Sequence, residues 1–220
     1  MAGSIPDPFR ELFAAIPALT GRPAAAEDRG RFKHYLELFM RWNQVHRMTA
    51  LRSPVEIIRG LFLDSLLFLP VLPLARPIKV ADIGAGSGIP GLPIRVVDSG
   101  IVLTLVEAKR KRVSFLHAVC RDLELRDVSV IEGRAETLVE DEGGLAGAFD
   151  AVVARAVGPA NLLLPLAIRY LKPGGTVVLA GGPKSTGLAG LETVRVRRPG
   201  APGSRTFLRA AKESNVPRGT

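Results

Sequence analysis

Along residues 31 to 47, Phe32, Tyr35, Leu36, Phe39, Asn43 and His46 fall on one helical stripe, while Arg31, Lys33, Glu37, Arg41 and Arg47 lie mostly elsewhere. That spacing predicts an amphipathic helix. A second helix is predicted from Val55 to Leu69, after which Pro70, Pro73 and Pro77 punctuate the chain. Residues 1–76 therefore read as a helical N-terminal extension. From residue 77 the period changes: Val80, Ala81 and Ile83 form a short apolar strand that runs into Gly84, Gly86 and Gly88. Strand and helix then alternate: strand Ile101 to Glu107, helix Lys111 to Glu124, strand Val128 to Glu132, strand Phe149 to Ala154, helix Asn161 to Leu171, strand Thr176 to Leu179. Such alternation predicts an α/β fold, a mostly parallel twisted sheet with helices on both faces. Phe115, Leu116, Val119, Cys120 and Leu123 share the face that packs the first of these helices on the sheet. Thr193 to Arg197 and Arg205 to Ala210 read as a closing antiparallel hairpin, and Glu140 to Gly147 as an exposed loop.

Length and composition fit one globular domain: 220 residues, 47% of them apolar. Residues 77–212 form the expected α/β core, with 213–220 as a basic tail. The formal charge is +9, of which +6 lies in the last 37 residues, so a polyanionic partner is expected. The single cysteine, Cys120, excludes an internal disulfide and reads as a small core residue. The N-terminus lacks a secretory pattern, and Asp64, Pro70 and Pro73 break the most apolar window. A cytoplasmic monomer without a membrane partner is expected. His34, His46 and His117 offer no paired ligand spacing, so no metal is expected either.

Open α/β sheets bind ligands at the carboxyl ends of their strands. Here the first strand ends in the glycine loop, whose Gly86 to Gly91 satisfies the dinucleotide pattern G-x-G-x-x-G. The second ends at Glu107, 23 residues after Gly84, where a carboxylate can accept both ribose hydroxyls of an adenosine. Nicotinamide and S-adenosylmethionine sites share that role. Two features favour S-adenosylmethionine. Asp82 stands where it can organise the loop and a methionine ammonium, and a pyrophosphate would be repelled there. Phe149 to Val153 followed by Tyr170 to Leu179, with Lys172-Pro-Gly-Gly175 between helix and strand, has the shape of a methyltransferase second half.

Trp42-Asn-Gln-Val45, Thr49-Ala-Leu51, Phe62-Leu-Asp-Ser-Leu66, Asp82 to Pro93, Lys111 to Leu116, Arg134-Ala-Glu136 and Ala154-Arg-Ala156 occur in one order that resembles the RsmG (GidB) family. The resemblance spans roughly residues 32 to 212. It implies a Rossmann-like class I methyltransferase that uses S-adenosylmethionine to methylate guanine N7 in small-subunit (16S) ribosomal RNA. It places Gly84, Ile89, Ala135, Glu136 and Arg155 at cofactor positions, with Glu107 at the ribose.

Attack by N7 uses a ring lone pair, so no general base is needed. Catalysis is then expected to be positioning and charge stabilisation, with Arg155 as the catalytic residue. Its guanidinium could hold a carboxylate, a phosphate or guanine O6, or it could be a sheet-edge ion pair. RNA is expected on Lys111, Arg112, Arg134, Lys184 and Arg205, with Lys109 and Arg110 adjacent. The chain departs from the family in having Gly181-Gly182 where a lysine is usual, and in lacking the histidine of the family's Arg-His-Phe-Leu-Asp-Ser-Leu within Arg59 to Leu66. A nicotinamide oxidoreductase and an RNA-binding module with an inactive pocket are the alternatives.

Overall fold

A computed structural model describes residues 8–140, 144–156, 158–181, 191–200 and 202–213. Helices α1 (Pro8–Thr20) and α2 (Ala26–His46) come first, then a helical run made of α3 (Pro54–Ile57), a π-helical turn (Ile58–Leu63) and α4 (Asp64–Leu66). The stripe on α2 buries Phe32, Tyr35, Leu36, Phe39 and Asn43. His46 is a correction: it ends the helix and is exposed, because the chain leaves helical geometry at Arg47 (φ 48°). Asp28 opens α2 by accepting from the Ala25 amide at 3.0 Å and pairing with Arg22 at 2.9 Å. Helix α1 was not anticipated, although Phe9, Leu12, Phe13 and Ile16 repeat at helical spacing and are all buried.

The sheet has seven strands in the order β3-β2-β1-β4-β5-β7-β6: β1 (Ile78–Ile83), β2 (Ile101–Glu107), β3 (Val128–Glu132), β4 (Phe149–Ala154), β5 (Leu171–Ala180), β6 (Glu192–Arg197) and β7 (Ser204–Ala211). β1 to β5 pair in parallel, and β7 lies antiparallel between β5 and β6, forming the expected hairpin. Lys172-Pro-Gly-Gly175 is drawn into β5 as an irregularity: β4 pairs Phe149 with Leu171 but Ala151 with Thr176.

Between the strands run α5 (Gly91–Val97), α6 (Arg110–Asp122), α7 (Ala135–Leu138) and α8 (Ala160–Tyr170). One core cluster joins α1, α2, α5 and α6 to one face of the sheet, and a second joins α7 and α8 to the other. Phe62 lies amid the rings of Phe32, Tyr35 and Phe39, so the N-terminal helices and the sheet share one apolar core. Chain order reverses around β1, whose neighbours are β2 and β4, and that switch point places the ligand crevice at the ends of these strands.

Candidate active site

A cleft of about 540 Å³ opens where β1, β2 and β3 end. Its first wall is the loop after β1. The Gly84 and Ala85 amides donate to the Val106 carbonyl at 2.8 and 3.0 Å, so the loop leaves the sheet still tied to β2. Gly88 sits at φ 81°, and a Cβ there would stand 2.3 Å from Leu92 and 2.8 Å from the Tyr35 hydroxyl. Only glycine fits. The Tyr35 hydroxyl donates to the Ser87 carbonyl, so α2 braces the loop from behind.

Asp82, at the end of β1, is fully buried. Its Oδ2 accepts from the Gly91 amide at 2.8 Å, and a Cβ on Gly91 would lie 2.7 Å from that oxygen. Its Oδ1 has no partner. Burial pushes the Asp82 carboxyl up to about 7, the Gly91 bond opposing and the Glu107 charge reinforcing. Of the two roles expected of Asp82, organising the loop and a methionine ammonium, the first is seen: its Oδ2 ties the loop to α5, and the side chain is fully buried.

Glu107, at the end of β2, does line the cleft. Its Oε2 accepts from the Gly86 amide at 2.9 Å and its Oε1 from the Lys109 amide at 2.8 Å. Each oxygen keeps a further lone pair. Arg112 Nη1 stands 3.7 Å from Oε2. Gly133, Arg134, Ala135 and Glu136 form the opposite wall, held by the buried Tyr170 hydroxyl, which donates to the Ala135 carbonyl at 2.7 Å. Pro159, Leu162, Leu163 and Leu166 close the cleft with an apolar side that sequence reasoning missed. The available signal was an apolar run opening a helix directly after a strand end.

Of the residues expected at the cofactor, Gly84, Glu107, Ala135 and Glu136 share this cleft. Ile89 is buried and belongs to the core packing beneath the loop. Arg155 is a correction: its neighbour Ala156 lines the cleft, but its own side chain turns to the N-terminal helices. There Nη2 donates to the Gly60 carbonyl in the π-helical turn at 2.8 Å, and Nη1 lies 3.4 Å from Asp64. Burial draws the Arg155 guanidinium down, and Asp64 opposes that shift.

Among the RNA candidates, Arg112 and Arg134 line the cleft itself. Lys111 is exposed and lines an adjoining cavity of about 340 Å³ with His46, Arg47, Met48 and Arg110. Arg205 turns inward to Asp64 at 3.6 Å. Lys184 lies outside the described residues. Cys120 is half-buried away from the cleft, and burial pushes its thiol up to about 11, the inert end of the thiol range. Among the described residues there is no cluster of His, Cys, Asp or Glu suited to a metal, and no helix long and apolar enough to cross a membrane.

Five parallel strands closed by an antiparallel pair, with a glycine loop after β1 and a carboxylate at the end of β2, define the Rossmann-like class I methyltransferase fold. Solved structures agree. A predicted O-methyltransferase from Agrobacterium tumefaciens superposes with a TM-score of 0.50 and 26% identity, covering 70% of this chain and 80% of that one. A SAM-dependent methyltransferase from Aquifex aeolicus gives a TM-score of 0.52 at 16% identity, covering 75% and 96%. Residues 28–188 match the model of the GidB family, described as rRNA small subunit methyltransferase G, and the chain belongs to that family. The ribosomal RNA small subunit methyltransferase G of Sorangium cellulosum is 41% identical over 82% of this chain and 73% of its own.

Proposed function

We propose that this protein transfers the methyl group of S-adenosylmethionine to N7 of a guanine in 16S ribosomal RNA, as a cytoplasmic enzyme. The observation that carries the cofactor assignment is Glu107, a buried carboxylate that lines the cleft and whose two oxygens are each fixed by one backbone amide. That arrangement suits the paired hydroxyls of a ribose. Gly133 to Glu136 frame the adenine, with Leu162, Leu163 and Leu166 as its apolar side.

Held by Glu107 at its ribose and by Gly133 to Glu136 at its adenine, S-adenosylmethionine would supply an electrophilic methyl carbon for the N7 lone pair. N7 needs no proton removed before attack, and among the described residues lining the cleft there is no histidine or cysteine. The protein's contribution is to hold the two reactants in line and to exclude water. Arg155, one residue from the wall, acts on the target and not on the cofactor. Lys111, Arg112, Arg134, Lys184 and Arg205 hold the RNA.

Labelled S-adenosylmethionine incubated with unmodified small subunits tests the reading. Label should enter 16S RNA at a position that borohydride and aniline cleave, as they do at 7-methylguanosine. Cofactor binding by calorimetry with no label in RNA, or label at a site resistant to cleavage, would overturn it. Arg155→Ala is expected to cut transfer more than tenfold while the cofactor Kd holds.

A further inference from the structure

Beside the cleft lies a cluster whose charges do not balance. Asp64 opens α4 directly after the π-helical turn, and its side chain is only 2% exposed. Three arginines converge on it, one from the end of β4 and two from the β6–β7 hairpin. Arg198, just past β6, donates from Nη2 to Oδ1 at 2.9 Å. Arg155, just past β4, and Arg205, in β7, reach Oδ2 with Nη1 atoms at 3.4 and 3.6 Å, neither in hydrogen-bonding geometry. The Oδ2 oxygen, Arg155 Nη1 and Arg205 Nε are buried without a hydrogen-bond partner.

One carboxylate among three guanidiniums leaves two positive charges over, with buried donors unused. Without a central anion the three would repel one another across a short distance. With Asp64 alone they are gathered but not neutralised. Such a cluster is complete only when a further anion arrives, and guanidinium donors suit a phosphate.

We infer that Asp64 is a positioning residue that assembles Arg155, Arg198 and Arg205 into a receptor for a backbone phosphate of the substrate RNA, next to the base being methylated. This rests on the proposed RNA substrate. Asp64 touches neither cofactor nor RNA; it acts by fixing where the arginines stand. It also explains a buried acid within a surface that must meet a polyanion. Arg198, absent from the sequence-based candidates, becomes a phosphate contact.

Three variants test this, each read by RNA affinity across a salt series, by kcat and by cofactor Kd. Asp64→Asn frees one cation, so the slope of log affinity against log salt should steepen by about one while kcat falls at least tenfold, because the arginines are no longer held. Asp64→Glu should recover part of kcat. Arg198→Gln, at a partly exposed position, should make the slope shallower by about one and raise the KM for RNA three- to tenfold. Cofactor Kd should stay constant in all of them. An unchanged slope and KM in Arg198→Gln would overturn the inference, as would an Asp64→Asn protein that keeps full kcat or loses cofactor affinity in step with it. Should Asp64→Asn fail to fold, Arg198→Gln decides alone. The salt series needs no turnover, so wild-type protein that binds RNA without methylating it would sink the proposed activity and leave this inference standing or falling on its own slopes.

Discussion

Asp82 and Glu107 stand at the ends of adjacent parallel strands, both buried, yet they are built for different ends. Asp82 has one backbone donor and an orphan oxygen, and its carboxyl is pushed up to about 7. Glu107 has an amide on each oxygen, Arg112 within 3.7 Å, and an open side on the cleft. The same residue chemistry thus gives a structural tie in one strand and part of the cleft wall in the next. What separates them is how many donors the following loop turns back on the carboxylate.

The sharpest way to break that contrast is pH. An acid whose folded pKa lies above its unfolded value favours the protonated chain. The Asp82 contribution should therefore be full below about pH 4, decline as pH rises to about 7, and be flat beyond. The loss is at most roughly 4 kcal/mol. Urea denaturation across this range should show the decline, and Asp82→Asn should remove it. If Asp82→Asn leaves the profile as steep as before, Asp82 is not the group responsible.

Glu107→Gln sets an amide group against donors that now meet a carboxylate. Its cofactor Kd should rise about a hundredfold, close to 3 kcal/mol, as calorimetry would read. A smaller effect comes from Gly91→Ala, whose Cβ would press on Asp82 Oδ2 at 2.7 Å. That crowding should cost about 2 kcal/mol and lower the Tm, since Leu105 blocks the other direction at 2.9 Å.

The strands were legible because their apolar runs are short and bounded: β2, β3 and β4 match their expected limits. So were the cleft residues Gly84, Glu107, Ala135 and Glu136, since each lies at or just after a strand end. Arg155 shares that position and still points elsewhere. Its partner Asp64 is 91 residues earlier, and nothing local to either residue announces the pairing. Asp82 is a similar case: its placement was legible, but its orientation depends on Gly91 coming within hydrogen-bond range. His46 was misplaced for a local reason, since helical periodicity persists in the sequence past the point where the backbone turns. Periodicity and spacing report what an element presents; they say little about which distant side chain it meets.

The Tyr35 hydroxyl on the Ser87 carbonyl has a consequence for how the molecule comes apart. A tie between a helix encoded before residue 50 and a loop encoded after residue 83 makes local unfolding of either expose the other. The amides of α2 and of the glycine loop should then exchange with solvent as one cooperative unit.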